Sequence, residues 1–95
     1  PQLWCQVIMP TVLEIVRNVA RSPNWRKKHR SPERVILTDD GRSVDRNTYN
    51  LMMAAAHDVA SARMRHAGRS VWNEDDYEAF VAAFDELVDD IAEEE

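Results

Sequence analysis

Two groups of charged residues are the part of this sequence best suited to binding chemistry. The first group is a row of carboxylates: Asp85, Glu86, Asp89 and Asp90. The second group is a basic segment that begins with an aromatic ring: Trp25, Arg26, Lys27, Lys28 and Arg30. Carboxylates at helical spacing suit a basic protein surface, whereas clustered cations suit phosphates or carboxylates. The sequence therefore predicts two binding surfaces of opposite charge.

The charge of the chain is strongly separated along its length. The 95 residues carry a net charge of -5, but 11 of the 17 acidic residues lie in residues 74–95, where there is no lysine or arginine. Residues 1–73 therefore hold all 12 basic residues and only six acidic ones. Such a separation influences long-range steering and the choice of partner, and it does not determine the fold.

The acidic row lies at the C-terminal end of a predicted helix, where the helix dipole is negative. Each carboxylate placed there costs up to about 1 kcal/mol at low salt, so the row needs an explanation. One explanation is a solvated helix end that keeps the protein soluble. The other is a basic counterpart: another protein, a second copy of this chain or the chain's own residues 26–30. Bound to another protein, the row would compete with nucleic acid by imitating its phosphates.

The basic segment has two interpretations. In the first, its lysines and arginines contact a nucleic acid backbone and Trp25 stacks on a base. In the second, Trp25 anchors a loop to the core, and the neighbouring charges stay in water or pair with the acidic helix. Residues 36–42, with the sequence ILTDDGR, resemble the wing strand and turn of winged helix-turn-helix regulators. That resemblance covers seven residues, implies nucleic-acid binding and identifies no base-reading residue.

The sequence contains no pattern typical of a metal site, a cofactor site or a catalytic nucleophile. His29, His57 and His66 lack metal-ligand spacing, and Cys5 lies in an apolar run without a neighbouring base. Pro1, followed by a strand-like run, a helix and a second strand, resembles the opening of the tautomerase superfamily. That resemblance implies catalysis by the proline amine as a general base. Removal of an initiator methionine explains Pro1 equally well.

Hydrophobic periodicity predicts a single domain over residues 1–95, of mainly α class with a small β part. Three principal helices are expected because apolar residues recur every three or four positions in three segments, and a short β-hairpin is expected around a turn signal. The predicted elements follow in chain order: first helix 10–21, basic loop or single helical turn 22–34, hairpin 35–44, second helix 47–67 and acidic amphipathic third helix 74–92.

The second and third helices are predicted to form an antiparallel pair. Local signals are expected to bound them: Asp45 or Asn47 as the N-cap of the second helix, Gly68 at its end and Asn73 as the N-cap of the third. Packing between them is predicted for these residues: Met52, Ala56, Val59 and Met64 against Phe80, Phe84 and Leu87. The predicted buried face of the third helix also includes Tyr77 and Val81.

These observations predict a non-enzymatic protein–protein interaction module, such as a small intracellular adaptor, an assembly component or an inhibitor. The alternative is a nucleic-acid-binding regulator that uses residues 25–34 and the hairpin. A single cysteine favours a reducing compartment, so a cytoplasmic location is expected, and no apolar run approaches the roughly 20 residues of a membrane span. The alanine- and arginine-rich composition suggests a bacterial or phage reading frame.

Overall fold

The computed structural model describes residues 11–93, and it confirms the mainly α class with a small β part. The helices in this part of the chain are α1 (Val12–Arg21), α2 (Pro23–His29), α3 (Arg46–His66) and α4 (Glu74–Ile91). Between α2 and α3, the chain forms a two-stranded antiparallel sheet of β1 (Arg34–Ile36) and β2 (Ser43–Asp45). The predictions for Pro1, Cys5 and the N-terminal apolar run fall outside the described residues.

A proline separates α1 from α2 and also begins α2. Thr11 caps α1, since its Oγ1 accepts a hydrogen bond of 3.1 Å from the amide three residues later. Ser22, which precedes Pro23, is extended and ends α1, but Pro23 then occupies the first turn of α2. A proline costs nothing at this position because its missing amide would have no partner there. The prediction for residues 22–34 is therefore corrected, since this segment begins with a helix of two turns.

The hairpin brings the residues that follow α4 into the sheet. Its register pairs Arg34 with Asp45, and Gly41 in the turn has a φ of 88°, which favours glycine. On the other side of β2, the Ser43 amide donates to the Glu93 carbonyl at 2.7 Å. The Ser43 carbonyl accepts from the Glu93 amide at 2.8 Å. The main chain just after α4 is thereby fixed beside β2.

Both ends of α3 have the local signals that the sequence indicates. Asp45 is the N-cap, and its carboxylate accepts hydrogen bonds from the Thr48 hydroxyl at 2.6 Å and from the Ser31 amide at 3.1 Å. Burial raises the pKa of Asp45, but these hydrogen bonds outweigh it, so that the pKa lies below its ordinary value. At the other end, Gly68 has a φ of 75°, and its amide and the next one donate to carbonyls of the last turn.

The predicted pair of α3 and α4 packs closely and forms the centre of the core. The ring of Tyr49, near the start of α3, meets that of Phe84, late in α4, with centroids 6.0 Å apart. The helices therefore run antiparallel. One face of α1 and one residue of β2 complete the buried cluster: Val16, Ala20, Val44, Met52, Ala55, Leu87, Val88 and Ile91. Val59 and Met64, which were predicted to pack here, are half-buried.

A buried carboxylate, Asp76, fixes the start of α4. Asn73 caps the helix, because its side chain accepts from the Asp76 amide and its own amide donates to the Asp76 carboxylate, both at 3.0 Å. Arg69 donates to both carboxylate oxygens, and Arg63 Nε lies 3.7 Å from Oδ1. The hydrogen bond from Arg69 holds the pKa of Asp76 below its ordinary value of 3.8, although burial opposes this. Asp76 is therefore ionised at neutral pH and compensated by arginines.

We predict that D76N lowers the thermal midpoint of unfolding by on the order of 10 °C at pH 7, because it leaves arginines beside an uncharged group. The pKa of Asp76 is lower in the folded than in the unfolded state, so its ionised form stabilises the fold in full above about pH 4. That contribution is lost as the pH falls through the folded-state pKa. The difference between wild type and D76N, measured by circular dichroism, should therefore shrink on acidification.

The matched control for this experiment is D75N, which removes a carboxylate from the exposed neighbouring position. D75N should change the midpoint by much less than D76N at every pH. The role assigned to Asp76 is contradicted if the D76N difference stays constant down to about pH 2, or if D75N is equally destabilising.

Candidate functional site

The acidic row divides into two pairs that face different ways on α4. Successive residues of a helix are turned by about 100°, so residues four apart lie on one line and adjacent residues do not. Asp85 and Asp89 form one line, which is exposed. Glu86 and Asp90 form the other line, which faces α1. The four carboxylates therefore do not form a single surface.

Arginines of α1 bind the inner pair of carboxylates. Arg17 Nη2 lies 3.1 Å from Glu86 Oε1, and Arg17 Nε lies 2.6 Å from Asp90 Oδ2. Arg21 forms a second ion pair with Asp90. The side chains of Arg17 and Asp90 are each only 24% exposed, so water screens this pair less than it screens a fully exposed one. The inner pair thus has its basic counterpart in α1 and not in residues 26–30.

Arg42 compensates for the negative end of α4. Its Nη2 donates to the main-chain carbonyl of Asp89 at 3.3 Å and to that of Ala92 at 3.0 Å. Carbonyls in the last turn of a helix have no partner within the helix, and a cation there interacts favourably with the dipole. Together with the α1 arginines, Arg42 explains how this helix end tolerates its carboxylates.

The outer carboxylates have no such partners among residues 11–93. Asp85 and Asp89 are exposed, as is Glu78 nearer the start of the helix. None of the three forms an ion pair with another residue in the range 11–93. Their charges are therefore directed to solvent and are accessible to a basic partner.

Two large apolar residues lie exposed beside the outer carboxylates. Tyr77 is 58% exposed and Val81 is 54% exposed, so the prediction that they belong to the buried face of this helix is wrong. The buried face of this helix instead includes Asp76 and Ala83. Arginine pairing makes burial of the Asp76 carboxylate possible, and the small side chain of Ala83 lets neighbouring elements approach closely.

An anchored tryptophan holds Tyr77 in place. The Trp72 Nε1–H donates to Ser61 Oγ at 3.3 Å, and the indole ring lies against His57 and Phe80, with centroid distances of 4.9 and 5.7 Å. The Tyr77 ring meets Trp72 edge-on, with centroids 5.1 Å apart. A rigid, exposed aromatic side chain loses little conformational entropy on binding, which is typical of interface hot spots. The spacing of apolar residues gave no signal for this arrangement.

These exposed side chains line one open groove of about 390 Å³: Tyr77, Glu78, Val81, Ala82 and Asp85. We refer to these five residues as the outer face of α4. Glu78 and Asp85 lie seven residues apart, which is about 10 Å along a helix. Val81 and Ala82 lie between them in the sequence, and Tyr77 directly precedes Glu78. Such an arrangement suits a partner that carries both apolar and basic side chains.

The arginines of the basic segment are already paired within the chain. Arg26 Nε donates to the Ala20 carbonyl at 2.9 Å, and Arg26 Nη1 lies 3.7 Å from the Glu93 carboxylate. Arg30 Nη2 lies 4.0 Å from the same carboxylate. The basic segment thus pairs with a residue that follows α4, and not with any of the four carboxylates of the predicted row.

The remaining residues of the basic segment stay at or near the surface. Trp25 is half-buried, and its ring tilts against that of His29 with centroids 5.1 Å apart, so its own helix covers part of it. Lys27 and Lys28 are exposed and form no ion pair in the part of the chain that the structure describes. The basic segment therefore offers a nucleic acid fewer cations than its sequence predicts, because Arg26 and Arg30 face Glu93.

Comparisons with known proteins and searches for other kinds of site add no further assignment. Residues 11–93 contain no group of three side chains able to hold a metal ion, and none of their helices combines the length and apolar character of a membrane span. The chain matches no protein-family model, no curated protein and no solved structure. The site is therefore interpreted from its own geometry.

We predict that the neighbouring substitutions D90N and D89N differ in their effects on stability. D90N removes the charge that binds Arg17 and Arg21, and it should lower the free energy of unfolding by about 1 kcal/mol. D89N removes an unpaired carboxylate from the negative end of a helix, and it should be neutral or stabilise by up to about 0.5 kcal/mol. Urea denaturation at low and high salt measures both effects, which should diminish as salt increases. Equal effects of the two variants would refute the division of the row.

Proposed function

We propose that this chain is a non-enzymatic protein–protein interaction module that binds its partner through the outer face of α4. The proposal rests on one observation: Tyr77 and Val81 are exposed next to the carboxylates of Glu78 and Asp85. Exposed apolar side chains that are grouped and rimmed by polar groups are typical of interaction sites, whereas scattered ones are not. The contact of Tyr77 with Trp72 adds the rigidity that favours binding.

The proposed partner is a protein whose surface carries basic residues around an apolar one. Complete burial of a large apolar side chain contributes about 1.5–3 kcal/mol, whereas an exposed ion pair contributes about 0.2–1 kcal/mol. The apolar contacts therefore supply most of the affinity. The carboxylates select a positively charged partner and accelerate its association.

Such a surface suits a small adaptor, an assembly component or an inhibitor. Because carboxylates imitate phosphates, a partner that normally binds nucleic acid through the same basic surface would be blocked by this module. The single cysteine of the sequence favours a reducing compartment, which supports a cytoplasmic location for the module.

Nucleic-acid binding by the basic segment has less support. Arg26 and Arg30 converge on the single carboxylate of Glu93 and do not form a row, and the segment's other cations, Lys27 and Lys28, form no ion pair within residues 11–93. Binding to a nucleic acid backbone depends on neutralising several phosphates at once. A single-stranded oligonucleotide is therefore tested as an alternative ligand.

We predict that Y77S/V81S weakens binding of a basic amphipathic peptide by about 10- to 100-fold, because two apolar contacts are lost. The probe is a fluorescently labelled synthetic helix of leucine and lysine, and the readout is fluorescence anisotropy. V12S/I15S is the matched control, since Val12 and Ile15 on α1 are 41% and 49% exposed and lie outside the outer face. The control variant should bind the peptide as wild type does.

A second variant, E78Q/D85N, tests the contribution of charge. It should slow association of the same peptide and reduce the salt dependence of binding, with a loss of affinity of about two- to tenfold. Equal losses in Y77S/V81S and V12S/I15S would refute the outer face as the binding surface. Tighter binding of a single-stranded oligonucleotide, abolished by K27Q/K28Q, would instead assign the chain to nucleic-acid binding.

A further inference from the structure

Three guanidinium groups converge on one carboxylate beside the sheet. Arg26 Nη1, Arg30 Nη2 and Arg34 Nη2 lie 3.7, 4.0 and 3.2 Å from the Glu93 carboxylate. Arg26 lies in α2, Arg30 directly follows α2, and Arg34 is the first residue of β1. Each guanidinium has five N–H donors, so a single carboxylate with two oxygens leaves most of them free. The described residues therefore place an excess of positive charge at one point.

Two of the three arginines are positioned without help from Glu93. Arg26 donates through Nε to the Ala20 carbonyl at 2.9 Å, and Arg34 donates through Nη2 to Ser43 Oγ at 2.8 Å. Their guanidinium groups would therefore remain close together if the Glu93 side chain moved away. A set of donors held in place in this way binds an anion without a large ordering cost.

The position of the Glu93 main chain does not depend on the Glu93 side chain. The two hydrogen bonds between Glu93 and Ser43 are main-chain bonds, at 2.7 and 2.8 Å, and do not involve the carboxylate. The Glu93 side chain is 40% exposed, and each exposed ion pair contributes only about 0.2–1 kcal/mol. An external anion therefore needs only modest affinity to displace this carboxylate.

We propose that Arg26, Arg30 and Arg34 form a binding site for a single phosphate group, which the Glu93 carboxylate fills when no ligand is bound. A phosphate carries up to two charges and more acceptor oxygens than a carboxylate, and guanidinium groups bind it in a bidentate manner. The cavity among Arg26, Arg30 and Glu93 has a volume of about 10 Å³, which accommodates at most one water molecule. Phosphate therefore binds by replacing the carboxylate and not by joining it.

The geometry favours one phosphate over a nucleic acid backbone. The arginines point at a single carboxylate, whereas a backbone presents a row of phosphates that needs a row of cations. Asp45 also lines the cavity, but its carboxylate accepts hydrogen bonds from Thr48 and Ser31. Its negative charge remains, so that three arginines face one fixed carboxylate once the Glu93 side chain moves away, and the site keeps a net positive charge.

Isothermal titration with inorganic phosphate, at constant ionic strength, tests this site on the full chain. Two more glutamates follow Glu93 in the sequence, so the decisive variant is E93Q/E94Q/E95Q, which removes the charge of all three side chains. We expect it to bind phosphate about three- to tenfold more tightly than wild type. The matched control is E78Q/D85N/D89N, which removes three exposed carboxylates elsewhere on α4 and should leave the affinity within about twofold of wild type.

Two further variants separate the site from general positive charge. R30Q removes an exposed arginine whose described contact is with Glu93, so the variant should fold, and its phosphate affinity should fall by about three- to tenfold. K27Q/K28Q removes two neighbouring cations that do not face Glu93, and it should bind as wild type does. Circular dichroism confirms that each variant is folded before titration.

Three results would overturn the proposal. The first is no gain of affinity in E93Q/E94Q/E95Q, and the second is an equal gain in E78Q/D85N/D89N. The third is a loss in K27Q/K28Q as large as that in R30Q. Glycerol phosphate and a single-stranded oligonucleotide are titrated in parallel: equal affinities for glycerol phosphate and inorganic phosphate support a site for one phosphate group. The site is instead one for nucleic acid if the oligonucleotide binds far more tightly than inorganic phosphate. In that case the slope of its affinity against salt concentration should correspond to more than about three phosphate contacts.

Discussion

The pairing of arginines with the C-terminal end of α4 is the interaction that links three separate elements of the fold. That end concentrates carboxylates where the helix dipole is already negative, so it would be unfavourable in isolation. Arg17 and Arg21 reach it from α1, and Arg42 reaches it from the hairpin. Because these cations belong to separate elements, the same contacts that stabilise the helix end also fix α1, the hairpin and α4 relative to one another.

The elements that depend on local sequence are the ones that could be predicted. The antiparallel pair of α3 and α4 follows from apolar periodicity, and their ends follow from Asp45, Gly68 and Asn73, whose side chains or backbone angles act on adjacent residues. The helix α2 could not be predicted in the same way. Pro23 is a stop signal for one helix and an acceptable start for another, and the sequence does not show which role dominates.

The acidic character of the candidate site could be predicted from the sequence, but its apolar residues and its orientation could not. The sequence identifies Asp85 and Glu86 as charged residues of one helix, yet only the structure shows that the first faces solvent and the second faces Arg17. The rotation of a helix about its axis depends on what its neighbours bury. Here the pairing of Asp76 with arginines makes its burial possible, and Tyr77 on the adjacent position is left exposed. No periodicity within one helix contains that information.

The two proposed surfaces lie apart, one on the outer face of α4 and the other beyond its C-terminal end, and they do not depend on each other. Ile91 lies 14 positions after Tyr77 and six positions after Asp85, which is about 21 and 9 Å along an α-helix, and Glu93 lies beyond that point. The end of α4 is held by Arg42 and by main-chain bonds to Ser43, whether or not the Glu93 carboxylate is in place. Coupling between sites requires a ligand to favour one of two arrangements of the protein. Since phosphate replaces a side chain and leaves the helix in position, binding at the two surfaces should be additive.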